Sequence, residues 1–365
     1  MKRNGIIALI VCCALCFILL AGCNSSGGGQ SPSGEAVNIK VNSFLTESAP
    51  LTDGTKAIVA RINEYTGGSV NATGYYNGNL IGFFETWEAI GNGTIDIGYI
   101  APVVMDSYSV LTPVFSIPTA GLPLEGPIVL ADLYNELIAA RPEFNEEFAK
   151  SNITIIWVES LCGTVVSTTN RPIRTPADLR GLTIEGLGKA TTLYFENAGC
   201  ATVSLDVGDY YTSLDRGVID AFYGSVGGIF NNQLSELLPY ITIFGTPEGA
   251  PSGAGMSTSV MMYGCNTDTW NKFSSEQQEQ IIRACRDGSA VGLQLDIDSQ
   301  WVALDYFKEL GHDVHYVWGD EMQAWTELAK PVLDDWIASV NAAGFDGRGI
   351  WDSYQQILAD YNAGR

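Results

Sequence analysis

Positive charge is scarce in this chain. The sequence has 19 Lys and Arg residues against 41 Asp and Glu residues, which gives a formal net charge of −22. A field of that sign repels polyanions, so nucleic acid is excluded as a partner and an anionic lipid surface is unfavourable. Histidine is scarcer still, because His312 and His315 are its two occurrences and share the segment GHDVHYVW. The alternation in that segment places one of them on the surface, which favours a structural role over a metal site.

The motifs of common catalytic sites are missing. The sequence contains no GxSxG elbow, no phosphate-binding P-loop, no GxGxxG after a strand and no HExxH. YGSVGG, residues 223–228, matches the elbow only loosely, and both histidines lie in one distant segment. A catalytic carboxylate pair is compatible with the composition, but no pair stands out. We therefore predict a binding protein that is not an enzyme and uses no cofactor.

Cysteine is present, but its arrangement indicates no metal site. Four of the eight cysteines lie within the first 23 residues, and the other four are Cys162, Cys200, Cys265 and Cys285. These four are widely spaced and contain no CxxC pair. In an oxidising compartment they could form one or two disulfides or stay as buried thiols, and the sequence does not choose among the three pairings.

The N-terminal segment has the pattern of a targeting sequence. Lys2 and Arg3 precede an uncharged apolar run over residues 6–20, which is short for a membrane span and suits a signal peptide. The run ends in LLAGC, a pattern of lipid attachment at Cys23, although an ordinary signal peptide with an incidental cysteine is the alternative. We predict a lipoprotein signal peptide at 1–22 and a lipid-anchor cysteine with a flexible Gly/Ser-rich tether at 23–36.

Strand and helix alternate along the rest of the chain, which predicts an α/β protein with mostly parallel sheets. About 330 residues exceed what one core usually spans, so two lobes are expected. A largely helical segment over residues 267–310 begins with the capping-type sequence SSEQQ and is long enough to run past one lobe. The other predicted strands are 36–44, 69–78, 94–102 and 153–160, and the predicted helices are 52–66, 82–92 and parts of 131–152.

Three segments carry a family resemblance. NRPIRTPADLRGLTIE, residues 170–185, is followed by YTSLDRGVIDA at 211–221, and the N-terminal part contains GGSVNATGYYNGNLIGFFETWEAIGNGTID at 67–96. In order and spacing these stretches resemble the solute receptors of tripartite ATP-independent periplasmic (TRAP) transporters. The resemblance covers nearly all of the chain from about Asn38 onward.

The resemblance implies a two-lobed periplasmic-binding-protein-like fold, with a long helix spanning both lobes and a ligand held in the cleft between them. Lobe I would comprise residues 37–162 and 251–290, and lobe II residues 163–250 and 291–365. It implies an extracytoplasmic monomer, attached to the membrane by its lipid alone, on the outer face of the cytoplasmic membrane. Its partners would be a small organic solute and the TRAP membrane permease.

The chain departs from the family at the expected ligand site. The arginine that clamps a substrate carboxylate in most members corresponds to Glu185, and a second cationic position corresponds to Val165. The family's DGxEN becomes DAFYG, so that apolar and aromatic residues replace polar ligand-reading groups. The resemblance therefore implies a non-acidic or aromatic solute. The remaining candidate ligand contacts are Gly188, Val207, Phe222, Tyr223, Gly224, Phe44, Phe83 and Ala101.

Three interpretations of Glu185 stay open. It binds a cationic or hydroxyl-bearing solute, or it forms an internal salt bridge with Lys189 or Arg174. Otherwise it is a neutral acid or a surface residue, and the ligand stacks on aromatic rings, namely those of Phe222, Tyr223, Phe83 and Phe44. For any one aromatic candidate, ordinary core packing is the alternative to ligand contact. As alternatives to a transport receptor, a tethered sensory ligand-binding protein or an extracellular hydrolase would use the same cleft.

Overall fold

The computed structural model describes residues 36–364, with gaps at 48, 103–104, 106, 120–121, 123–125, 187, 206, 252 and 254–256. The predicted signal peptide and Cys23 lie outside the described residues. Among the described helices, none is long and apolar enough to cross a membrane.

The described strands form two sheets. The first contains β1 (Val37–Asn42), β2 (Val70–Tyr75), β3 (Ile97–Ile100), β4 (Ile153–Gly163) and β10 (Thr258–Asn266), in the order β2-β1-β3-β10-β4. The second contains β5 (Val165–Thr168), β6 (Thr183–Glu185), β7 (Ala201–Val203), β8 (Ala221–Gly224), β9 (Tyr240–Phe244) and β11 (Asp313–Val317), in the order β11-β9-β5-β8-β6-β7. The α/β class and the two-sheet architecture predicted from the sequence are confirmed.

Both sheets are mixed, so the prediction of mostly parallel sheets was wrong in part. Strand β1 pairs in parallel with β2 and β3, whereas β10 is antiparallel to β3 and β4. In the second sheet β6 and β11 make parallel pairs, whereas β5 is antiparallel to β8 and β9. In the first sheet, the late strand β10 inserts between β3 and β4, which both run in the opposite direction. In the second sheet, β5 follows directly from β4 and runs opposite to its neighbours β8 and β9.

The helices cover the sheets. Their bounds are α1 Pro50–Tyr65, α2 Thr86–Gly91, α3 Pro127–Ala140, α4 Glu143–Ala149, α5 Gly188–Asn197, α6 Tyr210–Asp215, α7 Val226–Asn231, α8 Thr267–Trp270, α9 Ser275–Glu309, α10 Met322–Glu327, α11 Lys330–Ala342 and α12 Gly347–Ala363. Helix α2 is shorter than the predicted 82–92, because the chain turns before Thr86, whose hydroxyl donates to the carbonyl of Gly82 at 2.6 Å. The C-terminal helices pack beside both sheets. Helix α11 contacts α5, which packs on β7 of the second sheet, and α12 contacts α3, which packs on β4 of the first.

The long helix α9 confirms the predicted helical segment and its start. Ser274 caps it, and the Gln277 side chain accepts from the Ser274 backbone N–H at 2.9 Å, so a capping box closes the N-terminus. Helix α9 contacts α1, which packs on the first sheet, and α7, which follows strand β8 of the second sheet. A Cβ atom on Gly288 would lie 2.6 Å from the backbone nitrogen of Ile58, so the glycine lets α1 and α9 meet backbone to backbone. This close crossing fixes the long helix on the first sheet.

The four cysteines of the described chain are free thiols. Cys162, Cys265 and Cys285 are buried, and Cys200 is half-buried. The sequence left disulfides and buried thiols as alternatives. In the structure these four residues are thiols and form no disulfide with one another. Burial raises the pKa of the Cys200 thiol to about 11, which leaves it protonated and unreactive at neutral pH.

Candidate functional site

The strand ends of the two sheets meet around Thr164. Strands β1 and β3 end at the edge of the first sheet at which β4 ends, and Thr164 alone separates β4 from β5. In the second sheet, β6 and β8 end at the edge at which β5 begins, since Val165 lies opposite Gly224. Ligands of open α/β sheets bind beyond the carboxyl ends of their strands, so this junction is the candidate site.

A cavity of about 220 Å³ opens at this junction. None of the described residues that line it carries a charge. Four of them are apolar, namely Ala101, Leu161, Val260 and Met261, and the others all bear a hydroxyl group: Ser116, Thr164, Thr191, Tyr223, Ser257, Thr258 and Ser259. Such a wall recognises small solutes by shape and by hydrogen bonds.

Several wall hydroxyls are held by the protein itself. The Thr164 hydroxyl lies 2.9 Å from the Tyr223 hydroxyl and 3.1 Å from the carbonyl oxygen of Ser257. Thr258 is held on its far side by the hydroxyls of Ser160 and Tyr134, at 3.1 and 3.2 Å. Because Thr164 follows β4 and Tyr223 lies on β8, the bond between their hydroxyls links the first sheet to the second at the cavity.

Some residues predicted for the site reach the cavity. Ala101 and Tyr223 line it. Val165 and Gly224 face each other across a strand pair at the same edge, although the Val165 side chain is buried in the core of the second sheet. Gly188 begins α5 with a φ of 75°, a backbone conformation that glycine adopts without strain. Val207 begins a short 3₁₀ turn, Val207–Asp209.

Phe222 is buried behind the cavity and not on its surface. Its ring makes an edge contact with the Tyr210 ring, with centroids 5.6 Å apart. A Cβ atom on Gly224 would lie 2.5 Å from the Phe222 ring, so the glycine after Tyr223 makes room for that phenyl group. Phe222 of the segment DAFYGS is therefore a core residue that packs against Tyr210.

Phe44 and Phe83 form a separate aromatic cluster at the edge of the first sheet. Their ring centroids lie 4.6 Å apart, and the neighbouring Phe84 ring is 67% exposed. Neither residue lines the cavity. Their role as ligand contacts stays a prediction.

Glu185 is a buried acid with one unsatisfied oxygen. The residue is 1% exposed at the end of β6, and the Tyr210 hydroxyl donates to its Oε1 at 2.5 Å. Its Oε2 is buried without a hydrogen-bond partner. Burial raises the pKa of this carboxyl to about 7, and the Tyr210 hydrogen bond lowers it only in part. The acid is therefore partly protonated at neutral pH.

The interpretation of Glu185 as an internal salt bridge is wrong. Lys189 Nζ pairs with Asp335 at 2.6 Å, and Arg174 binds Asp313 with its guanidinium at 2.5 Å. Both cations are thus engaged with other carboxylates on the surface. A surface position for Glu185 is also wrong, because the residue is 1% exposed. The interpretations as a contact of a cationic or hydroxyl-bearing solute and as a neutral acid remain.

The histidines do not form a metal site. His312 stacks on the Phe307 ring, with centroids 5.4 Å apart, and His315 lies in strand β11. No group of three or more His, Cys, Asp or Glu residues within the described part of the chain could hold a metal ion.

Sequence reasoning missed most of the hydroxyl wall. Thr164, Thr191 and Ser116 belong to three separate segments that give no common signal. The run Ser257, Thr258, Ser259 at the boundary of β10 was the available cue, because three consecutive hydroxyl residues next to an apolar strand are unusual for a core.

Comparison with known proteins agrees with this architecture. A TRAP solute-binding protein of Rhodoferax ferrireducens, crystallised with copurified benzoate, has a TM-score of 0.74 at 17% identity, covering 90% of this chain and 99% of its own. A marine metagenome TRAP protein specific for aromatic acids has a TM-score of 0.73 at 19% identity, covering 89% and 99%. A Bordetella pertussis extracytoplasmic solute receptor that binds pyroglutamic acid has a TM-score of 0.70 at 16% identity, covering 88% and 100%.

Sequence comparison identifies the family. The uncharacterized protein YiiZ of Salmonella typhimurium is 24% identical over 215 residues, which is 56% of this chain and 64% of the length of YiiZ. The family model of DctP, bacterial extracellular solute-binding protein family 7, matches residues 41–339. With the two-sheet fold and the long helix, this match shows that the chain belongs to family 7 of the bacterial extracellular solute-binding proteins, the TRAP receptor family that the sequence motifs predicted.

Proposed function

We propose that this protein is the extracytoplasmic receptor of a TRAP importer, and that it captures a small, non-acidic organic solute in the cavity around Thr164. The observation that carries the ligand class is the absence of charge from the described cavity wall. The sequence prediction that Glu185 replaces the family's anion clamp supports the same class. A carboxylate ligand would lack a described cation to pair with and would meet repulsion from an ionised Glu185 in a poorly solvated site. The protein binds and delivers its solute without converting it.

The solved relatives make this departure sharper. The proteins of Rhodoferax ferrireducens and Bordetella pertussis bind benzoate and pyroglutamic acid, both of which are carboxylic acids. We propose that the fold and the cleft position carry over to this chain and that the preference for acids does not. The lobes would comprise residues 37–162 with 251–290, and 163–250 with 291–365.

A ligand screen tests the proposal. We expect amines, polyols or neutral aromatic compounds to raise the melting temperature of the mature protein, and we expect benzoate and dicarboxylates to leave it unchanged. The variant Ser259→Phe should abolish the shift, because a phenyl group fills a large part of a cavity of about 220 Å³. Binding should be read by thermal shift and then by calorimetric titration.

The control is Phe84→Ser, which removes a ring that is 67% exposed and lies outside the cavity. It should leave the ligand response unchanged. Tight binding of benzoate or a dicarboxylate to the wild-type protein would contradict the proposed ligand class. A ligand response that survives in Ser259→Phe would place the site elsewhere.

Attachment to the membrane is proposed to rest on Cys23 alone. The net charge of −22 makes adsorption to an anionic surface unfavourable, so the lipid must supply the affinity. We expect Cys23→Ala to be released from the membrane fraction or to remain unprocessed, as read by fractionation and by metabolic labelling with a fatty-acid analogue. Lipid labelling that persists in the variant would contradict this anchor.

A further inference from the structure

The Glu185 carboxyl is the one feature of the site that the hydroxyl cavity does not explain. Its Oε1 accepts the Tyr210 hydrogen bond, while its Oε2 is buried and has no partner. Leaving a buried acceptor unpaired costs about 1–3 kcal/mol, and more if the group is charged. An unpaired buried acceptor at a strand end is a group that a donor of the ligand can complete.

Among the described residues, the other charged groups around β6 are engaged or exposed. On α5, Lys189 binds Asp335 at 2.6 Å, and at the entrance to β8 the Asp220 carboxylate accepts the Thr183 N–H at 2.9 Å. Asp209 and Arg216, at the two ends of α6, are exposed. The Tyr210 hydrogen bond is thus the interaction of Glu185 with a titratable group in the described part of the chain.

The carboxyl lies at the end of a strand whose neighbouring elements line the cavity. Thr191, in the first turns of the helix that follows β6, lines the cavity, and so does Tyr223 on the adjacent strand β8. Glu185 itself does not line the cavity, but it ends β6, which pairs with the strand β8 that carries Tyr223. The rings of Phe222 and Tyr210 pack against each other on the same side as the carboxyl.

We propose that the solute carries a protonated nitrogen, and that this nitrogen donates to the unpaired Oε2 of Glu185 when the cleft closes. The inference rests on the proposed receptor function and narrows its ligand class to amines and related cations. A hydroxyl group would donate a hydrogen bond to the oxygen but would leave the negative charge of the buried carboxylate uncompensated. An ammonium group donates the hydrogen bond and also neutralises the charge. The chain's net charge of −22 also concentrates cations at its surface, which speeds their capture.

Release of the Glu185 proton on binding determines the direction in which the affinity for an amine changes with pH. The Glu185 pKa of about 7 in the empty protein falls when a cation binds, so below pH 7 the ammonium displaces a proton. Affinity for an amine should therefore decrease by up to about tenfold per pH unit between pH 7 and pH 5 and level off above pH 8. A bound carboxylate would do the reverse, because it raises this pKa and takes up a proton.

The experiment uses benzylamine, benzyl alcohol and benzoate, which share one ring and differ in charge. Calorimetric titration at pH 6.5 in two buffers of different ionisation enthalpy should show binding of benzylamine with release of a fraction of a proton. Glu185→Gln should weaken benzylamine at least tenfold and abolish the proton release, and Glu185→Asp should restore part of both. Glu147→Gln, which alters a buried glutamate outside the cavity, should change neither.

The outcomes separate this inference from the receptor function. If benzyl alcohol binds as well as benzylamine, or if Glu185→Gln leaves benzylamine binding intact, the cationic ligand is overturned and the receptor stands. If neutral compounds of the wider screen bind and no amine does, the same holds. If no compound of the screen or the trio binds the wild-type protein, both the inference and the proposed function fail.

Discussion

Replacing Glu185 by glutamine should raise the free energy of unfolding by about 2 kcal/mol at pH 8 and change it little at pH 5. The buried carboxyl has a pKa of about 7, against 4.5 in an unstructured chain. Each pKa unit is worth about 1.4 kcal/mol, so keeping this group ionised in the folded protein costs about 3 kcal/mol at pH 8. Glutamine avoids that cost, but its amide leaves a buried group unpaired at about 1 kcal/mol.

Glu147→Gln is the matched control and should act in the opposite direction. Glu147 is also buried, but its carboxylate accepts hydrogen bonds from the Ser109 hydroxyl at 2.5 Å and from the backbone N–H groups of Val110 and Leu111 at 2.8 and 3.4 Å. An amide nitrogen facing these donors would lose about 1–3 kcal/mol. Urea unfolding of both variants at pH 5 and pH 8 measures the contrast.

The contrast tests the environment of Glu185 without a ligand. If Glu185→Gln destabilises the protein at pH 8 as Glu147→Gln does, the carboxylate has a stabilising partner that the described structure lacks. A gain of equal size at pH 5 and pH 8 would show that ionisation is not its cause.

The wild-type protein should lose about 5 kcal/mol of stability between pH 5 and pH 8 from two buried acids. Glu159 on β4 is 2% exposed, accepts the Tyr99 hydroxyl at 2.6 Å, and has a pKa that burial raises to about 7, as at Glu185. A raised acid pKa means that the folded state keeps its proton while the unfolded state releases it. Stability is therefore greatest below pH 4.5 with respect to these groups, falls as the pH rises towards 7, and is level above it.

Single and double variants assign the pH dependence. Each of Glu159→Gln and Glu185→Gln should remove about 2.5 kcal/mol of the decline, and the double variant should remove most of it. Because the chain is strongly acidic, general repulsion also grows with pH, and 0.5 M NaCl should suppress that part and spare the buried part. A pH dependence that vanishes in salt, or that both variants retain, would contradict the prediction.

The sequence by itself determined the class and much of the framework. The alternation of apolar strands and amphipathic helices predicted the α/β class, and Ser274 with its capping box marked the start of α9. In the segment RTPADLRGL, Thr175 and Asp178 form a capping box around a 3₁₀ turn that leads into β6. This turn can therefore be predicted from the sequence of the motif. Such signals are local, since each depends on residues within a few positions of one another.

The tertiary structure alone decided the composition of the site. Tyr210 reaches Glu185 across 25 positions, and Thr164 meets Ser257 across 93. Hydroxyl residues have no period that marks them as a wall, and the four cysteines were equally compatible with disulfides and with thiols until the packing separated them. Likewise, Lys189 and Arg174 were plausible partners of Glu185 until Asp335 and Asp313 were found beside them. Contacts over such separations depend on how the sheets are oriented, and no local pattern in the chain encodes that orientation.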